Sequence, residues 1–397
     1  MPKLASKKQC TGCTACYSSC PKKCITMRPD EYGFEFPIID TKKCINCKKC
    51  ENVCPVIDKN KFPKKLLSIY AAYVQDNDIR MDSSSGGIFT EIATEILNRK
   101  GVVFGAAFDN EYGVVHVQIS NKEELSKLRG AKYAQSELGE CFYDVQKKLD
   151  IGKNVLFVGT PCQVSGLKSF LKKDYPSLFT VDFVCHGVPS PLVWKNYVKY
   201  RAEKDNHGIL PKKINLRSKI SGWSRYSYSN TYEYSTNQIY SVLNQEDLFM
   251  KLFVFNYINR CSCADCQFKG VKRVSDITLG DFWGIWDIDP NMDDNKGTSL
   301  ILTHTKAGAT MFESISGRLI FKKMNLREAS VRNPSILLSS LASDNRESIL
   351  DKCAEEKFDE VKQFLDQRGE QQASKVNIVR KGLHKFKKLV MLIKSRA

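Results

Sequence analysis

No apolar stretch in this 397-residue chain reaches the length of a membrane span. Its start lacks the apolar core of a secretion signal, because Met1-Pro2-Lys3-Leu4 runs straight into a cysteine motif. Disulfides need an oxidising compartment, so the 16 cysteines are expected to be reduced or metal-bound in a cytoplasm. The G-x-G-x-x-G pattern is absent, which removes the Rossmann fingerprint. The chain is basic, with a formal charge of +17, yet it has no helix-turn-helix signal and no interleaved aromatic and basic residues. No nucleic-acid partner is therefore expected. Histidine is scarce, at five residues.

Cysteine is what the chain has in abundance, and its spacing is specific. One run reads Cys10-x2-Cys13-x2-Cys16-x3-Cys20-Pro21, and a second reads Cys44-x2-Cys47-x2-Cys50-x3-Cys54-Pro55. This is the pattern of a bacterial-type ferredoxin with two 4Fe-4S clusters, in which the fourth cysteine of each run reaches across to the other cube. Cys10, Cys13, Cys16 and Cys54 are then expected to hold one cluster, and Cys44, Cys47, Cys50 and Cys20 the other. Zinc sites favour two separated pairs, which this is not. Cys24 lies outside the pattern and reads as a small packed side chain. Each cube with its four thiolates carries roughly −2, so the formal charge overstates the basic character.

Four segments follow from the pattern of apolar residues, glycine and proline. Residues 1–60 form the ferredoxin domain, with Tyr32 to Pro37 as a short strand between its cysteine runs. Asp58 to Lys65 is a linker. Residues 66–150 and 151–330 are two parts of one oxidoreductase domain, in which strands at 69–74, 102–108, 114–119, 155–158 and 179–184 alternate with helices at 87–99, 138–149, 163–171 and 192–201. Strands are also expected within 214–242 and at 298–305, with a helix at 246–255 and a turn-rich stretch at 275–284. Residues 331–397 read as a helical extension. The alternation argues for an α/β domain with a mixed sheet.

Several small-residue loops sit at strand ends or helix starts, where open α/β sheets gather ligands. Ser83-Ser84-Ser85-Gly86-Gly87 opens a helix and could hold a phosphate on backbone N–H groups, or could only cap the helix. Gly130-Ala131-Lys132-Tyr133, Gly159-Thr160-Pro161-Cys162-Gln163 and Cys185-His186-Gly187 are similar loops. Cys162 and Cys185, with Cys263 and Cys266, would supply four thiolates for a third 4Fe-4S cluster, and Cys261 is a spare. Zinc at Cys261, Cys263 and Cys266 is the alternative.

These loops, together with Ser275-Asp276-Ile277 and Gly280-Asp281-Phe282, resemble the beta-subunit family of the coenzyme F-420 (deazaflavin) hydrogenases and dehydrogenases across about residues 68–300. The resemblance implies an α/β, mixed-sheet, flavin-binding core; the small α+β bacterial-type ferredoxin domain that precedes it and the basic helical tail that follows it depart from the hydrogenase subunits. The resemblance also implies FAD contacts at the turn of Ser85, Gly86 and Gly87 and at the loop of Gly130, Lys132 and Tyr133, with Gly159, Thr160 and Asp281 as further cofactor-binding candidates. Lys132 is then a candidate to stabilise reduced flavin, or only a surface charge, and His186 a candidate proton donor or a structural histidine. Asp281 could bind a ribose or cap a turn. The expected redox partner is a ferredoxin, a flavodoxin or a deazaflavin coenzyme, and the substrate a small or sugar-linked molecule. A relay subunit with no substrate of its own is the alternative.

Residues 373–397 carry eight Lys and Arg side chains and no carboxylate side chain, and Val376, Val379, Leu383, Phe386, Val390 and Ile393 recur at steps of three and four. That is a basic amphipathic helix, suited to the inner membrane face or to packing on protein.

Overall fold

The computed structural model describes residues 1–57, 66–224 and 227–368. The linker and the basic tail identified above lie outside the described residues, and the extension is described as far as residue 368. Among the described residues, no helix is long and apolar enough to cross a membrane.

The N-terminal module consists of helix α1 (Ala15–Ser18), strands β1 (Ile25–Pro29) and β2 (Glu35–Ile39), and helix α2 (Lys49–Asn52), with β1 and β2 antiparallel. The strand expected at Tyr32 starts later, at Glu35. The Asp30 carboxylate accepts from the N–H groups of Tyr32 and Phe34 and holds those residues in a turn. The module's apolar core is small, built on Cys20, Cys24, Ile25 and Cys50, as expected where metal binding supplies folding energy.

The body begins with β3 (Ser68–Val74), α3 (Asn77–Met81), α4 (Ile88–Asn98), β4 (Val102–Phe108), β5 (Val114–Ile119) and α5 (Leu125–Leu128). It continues with α6 (Cys141–Asp150), β6 (Val155–Val158), α7 (Pro161–Leu171), β7 (Leu178–Phe183) and α8 (Pro191–Asn206). Strands β8 (Lys213–Ser218), β9 (Ser229–Glu233) and β10 (Ile239–Leu243) form a separate three-stranded antiparallel sheet, followed by α9 (Leu248–Val254). The chain then returns through β11 (Ile277–Asp281), α10 (Ile285–Ile288), β12 (Ser299–Thr303), α11 (Lys306–Ser316), β13 (Leu319–Met324), α12 (Leu326–Ser330) and α13 (Arg346–Ala354). Residues 358–368 are also helical.

The main sheet has eight strands in the order β13-β3-β12-β11-β7-β6-β4-β5. Strands β11, β7, β6 and β4 run parallel, and the strands outside them pair antiparallel. The sheet is thus mixed. The stretch expected to be turn-rich contains a central strand, β11, whose Gly280 and Asp281 disguise it but whose backbone pairs with β12 along its length and with β7 over Ile277, Thr278 and Leu279. Strands β1 and β13 were not anticipated, because Arg28, Lys322 and Lys323 break their apolar alternation. The described part of the extension, residues 331–368, is only partly helical.

The two faces of the sheet have different covers. Ile88, Ile92 and Ile96 of α4 pack on one face with Met311 and Phe312 of α11. On the other face α6 and α7 pack together with Cys13, Ala15 and Val53 of the ferredoxin module. The module therefore shares a core with the body. Helix α7 is defined at its start by Thr160, whose side chain accepts from Gln163 N–H while the Gln163 side chain accepts from Thr160 N–H, with Pro161 in the first turn. A side chain at Gly166 of α7 would have its Cβ 2.9 Å from Cys13 Cβ and Sγ, so only glycine allows this approach. Gly166→Val is expected to lower stability by about 1–3 kcal/mol through overpacking. Gly317→Ala, which meets nothing within 4 Å, serves as the control for thermal unfolding. Equal midpoints for the two variants would contradict the shared core.

Candidate functional site

The two cysteine runs wrap two separate cavities. Cys10, Cys13, Cys16 and Cys54 line one of ≈ 360 Å³, with Leu4, Ala5, Met27, Pro37 and Val56. Cys20, Cys44, Cys47 and Cys50 line the other, of ≈ 330 Å³, with Pro21, Ile25 and Ile39. In each, three thiols come from one run and the fourth from the other. Cys24 lines the second cavity too, its Sγ 3.3 Å from Cys20 Sγ. The donor set suits iron–sulfur cubes, since buried thiols are costly to ionise without metal. Burial pushes Cys13 up to about 12, and metal binding supplies the deprotonated form.

A third group of cysteines gathers where β6, β7 and the chain after α9 end. Cys162 sits in the first turn of α7, with its Sγ 3.0 Å from Thr160 Oγ1. Cys185 follows β7, and Cys263 follows Arg260, whose N–H donates to Val188 O and whose carbonyl accepts from Cys263 N–H. Burial raises Cys162 to about 11 and Cys263 to about 12 and lifts Cys185 well above its ordinary value, and charge on each of Cys162, Cys263 and Cys266 adds to the rise at Cys185. Cys162 also acts on Cys13. Cys261 turns away, donating from Sγ to Lys7 O at 3.2 Å. Among the described residues, no three of His, Cys, Asp and Glu converge as ligands of a single metal ion do.

Gly159 and Thr160 belong to this group and not to the loop of Ser85. Thr160 caps α7, and Gly159 N–H donates to Val181 O. His186 lies beside Cys185, with Nδ1 3.0 Å from Ser340 Oγ and its ring edge-on to Phe253 at 5.0 Å. Burial and the neighbouring Lys269 keep it neutral, below its ordinary value.

A second focus lies across Phe253, which touches Tyr133 at 5.0 Å between ring centroids. Here stands a residue that the sequence reading missed, Arg217. Its guanidinium forms a two-pronged pair with Asp281 at 2.7 and 2.9 Å, and it donates to Tyr133 Oη and Ser84 O. It also lies over the rings of Tyr228 and Trp283, at 4.3 and 4.9 Å. Asp281 is thus engaged on both oxygens. Lys219, just beyond β8, is buried and donates to the carbonyls of Ser85 and Arg80. Two cations spaced two apart along a strand share a face, which is the signal that could have found them.

The Ser85-Gly86-Gly87 turn is tightly held. Gly86 N–H donates to Ser299 Oγ at 2.9 Å, Ser85 Oγ donates to Thr298 O, and a Cβ on Gly86 would lie 2.5 Å from Ala72 O. Helix α4 behind it has no side-chain cap, leaving its first turn open to an anion. Lys132 is half-buried, donating to Arg129 O at 2.7 Å with no carboxylate beside it, and a Cβ on neighbouring Gly130 would meet nothing within 4 Å. Burial lowers Lys132 to about 7; burial, then repulsion from Arg80 and Arg217, lowers Lys219 to about 7. This collection of uncompensated cations and space fits an anionic cofactor.

Comparison with known proteins agrees with the geometry. Residues 69–142 match the profile for the N-terminal part of the coenzyme F420 hydrogenase/dehydrogenase beta subunit, and residues 152–327 match that for its C-terminal part. The chain belongs to this family. A 4Fe-4S dicluster profile matches residues 9–57 of this chain, and a second matches 36–91. It is therefore an iron–sulfur redox protein. A coenzyme F420-dependent sulfite reductase of Methanocaldococcus jannaschii is 27% identical over 190 residues, which cover 46% of this chain and 28% of that protein. The chain thus aligns with little more than a quarter of that relative. A ferredoxin-like protein from the nif region of Sinorhizobium fredii is 39% identical over 54 residues, covering 12% of this chain and 77% of its own length. A structure of the F420-reducing NiFe hydrogenase complex from Methanosarcina barkeri matches with 18% identity and a TM-score of 0.46, covering 78% of this chain and 94% of that one.

The lowered lysines make a pH test. In the folded, ligand-free protein Lys132 and Lys219 lose their protons near pH 7, against 10.5 ordinarily. Between those values the unfolded chain binds more protons, so stability rises with pH across that window. The thermal midpoint of cofactor-free protein is expected to rise from pH 7 towards pH 9.5, and Lys219→Met to make the rise shallower. An unchanged slope would contradict the assignment.

Proposed function

We propose that this protein is a cytoplasmic, FAD-dependent iron–sulfur oxidoreductase that exchanges single electrons with a carrier protein and two electrons with a small organic or sugar-linked substrate. In this reading Cys10, Cys13, Cys16 and Cys54 hold one cube, Cys20, Cys44, Cys47 and Cys50 a second, and Cys162, Cys185, Cys263 and Cys266 a third. The observation that carries the reading is an order of neighbours: Cys13 packs on α7 at Gly166, Cys162 in the first turn of that helix acts electrostatically on both Cys13 and Cys185, and His186, next after Cys185, leads through ring contacts with Phe253 and Tyr133 to Arg217. Cysteine groups in file next to a cluster of buried cations suit a path that begins with one-electron centres and ends at an anionic cofactor.

FAD supplies, when bound, the exchange between one-electron and two-electron chemistry. The chain's own part is to bind and orient. The open first turn of α4 and the ammonium groups of Lys219 and Lys132 would face its phosphates or its reduced ring. Tyr133, Trp223 and Trp283 supply aromatic surface; Trp223 stacks on Trp283 at 4.9 Å and donates from Nε1 to Ser84 O. Asp281 holds Arg217 in place and is not free for a ribose. His186 is held by Ser340, which favours positioning over proton transfer.

A second reading, a relay subunit with no substrate of its own, draws on the aligned F420-dependent sulfite reductase, in which the matching segment is a fraction of a longer chain. Its partner would be a further redox subunit, or the deazaflavin coenzyme named in that relative. Protein prepared without oxygen is expected to contain about twelve irons, matching sulfide and one flavin. Flavin is expected to be lost from Lys132→Glu while the iron stays. Iron without flavin in the unaltered protein would leave the relay and remove the enzyme; an iron-free, folded protein would remove both.

A further inference from the structure

The two cysteine loops of the ferredoxin module are copies of one backbone, and they differ in what faces outward. Counting from the first cysteine of each run, Gly12 corresponds to Asn46 and Thr14 to Lys48, and all four have left-handed backbones, with φ of 68°, 53°, 61° and 57°. Each loop then enters its short helix, α1 or α2. In the first copy the positions around the cavity are Thr11, Thr14, Ala15 and, from the other run, Val56. In the second copy the same positions are Ile45, Lys48, Lys49 and Lys22.

The difference follows from what covers each loop. The first is buried against the body. A Cβ on Gly12 would lie 2.6 Å from Gln135 Nε2 and 3.0 Å from the Arg260 guanidinium, and Cys13 packs on Gly166. The second loop is open. Ile45, Asn46, Cys47, Lys48 and Lys49 are all exposed, as are Lys22, Lys23 and Lys42, and Ile45 keeps 57% of its surface in solvent. Lys22, Lys23, Lys42, Lys48 and Lys49 pair with no carboxylate among the described residues. The carboxylates alongside are already occupied: Asp40 by Lys43 and Lys42 N–H, and Glu51 by Lys3 N–H. A solvated loop needs no such substitution of three neutral positions by lysine. A surface that receives an acidic protein does, with an apolar centre at Ile45 and a charged rim.

We propose that the loop of Cys44–Cys50, with Lys22, Lys23 and Lys42, is the docking surface for a small acidic ferredoxin, and that electrons enter or leave the protein there. This rests on the cysteine sets being cluster ligands. In each encounter one electron leaves the carrier's reduced cluster and one is gained by the group held at Cys20, Cys44, Cys47 and Cys50, with no bond made or broken and no proton moved. The reverse direction uses the same surface. The buried loop of Cys10–Cys16 is the inner one, because its Cys13 abuts the helix that carries Cys162.

The test uses the full chain, prepared without oxygen, and an oxidised acidic two-cluster ferredoxin as the binding probe. Binding by titration calorimetry is expected to weaken steeply between low and moderate salt. The variant Lys22→Glu/Lys48→Glu/Lys49→Glu should weaken it by about tenfold or more. Lys306→Glu/Lys323→Glu, on α11 and β13, should leave it within about twofold. The rate of electron uptake from reduced ferredoxin should fall in parallel, while uptake from reduced methyl viologen does not fall. If the glutamate variant loses iron, Lys22→Gln/Lys48→Gln/Lys49→Gln carries the same comparison with an intermediate loss. Equal ferredoxin affinity for the unaltered and the charge-reversed iron-replete protein would overturn the proposal and leave the cluster reading standing. Absence of iron–sulfur absorption in the unaltered chain would overturn that reading instead, and the docking surface with it.

Discussion

One buried guanidinium joins the two parts of this protein. Arg260 is 1% exposed, and its donors reach Cys10 O and Glu35 O in the ferredoxin module and Gln135 Oε1 in the body. Its plane lies over the rings of Phe34 and Phe36, at 5.5 and 4.2 Å. All three acceptors are neutral. A cation buried among neutral acceptors is costly unless a negative charge stands nearby. The thiol groups on either side, Cys10 in one set and Cys162 and Cys263 in another, are where that charge would reside once metal is bound. The Glu35 carboxylate also feels the Arg260 charge, so metal-bound thiolates would add to a counter-charge that is already present.

This constraint accounts for the placement of the ferredoxin module. The module has too small an apolar core to choose an orientation by itself, so its orientation is set by specific close contacts. Gly12 admits Arg260 and Gln135, and Gly166 admits Cys13. With the inner loop committed to the body, the outer loop is left to solvent, and the lysines collect there. At the far end, the buried pair of Arg217 and Asp281 organises Tyr133, Ser84, Tyr228 and Trp283 about one point. Removing either partner of such a buried pair commonly costs about 3–5 kcal/mol, so the cation is retained by its surroundings as much as by its partner.

Much of this was legible in the residues. The cysteine spacing anticipated which four thiols share each cavity of the module, because ligand spacing is local chemistry that the backbone cannot rearrange. The amphipathic period of 88–98 and the apolar runs of β4, β6 and β7 placed most of the alternating body. What escaped notice did so for physical reasons. Strand β11 carries Gly280 and Asp281 and looks like a turn; only the strands on both sides make it a strand. Arg217 and Lys219 carry no local signal that singles them out, and Asp281 reads as a ribose-binding or a capping residue, until the fold buries the first two and pairs the third with Arg217. The Ser85-Gly86-Gly87 turn reads as a cradle, yet Ser299 and Ala72 already occupy its inner side.

By itself the sequence determined the chemical class: paired cysteine runs of this spacing commit the chain to iron–sulfur electron transfer wherever the module sits. Tertiary structure decided which cysteine loop lies against the body and which faces solvent. Two nearly identical loops are interchangeable along the chain, and only packing against α7 makes one of them inner and the other outer. That distinction depends on contacts between residues more than a hundred positions apart, such as Cys13 with Gly166 and Cys10 with Arg260, and no local pattern encodes them.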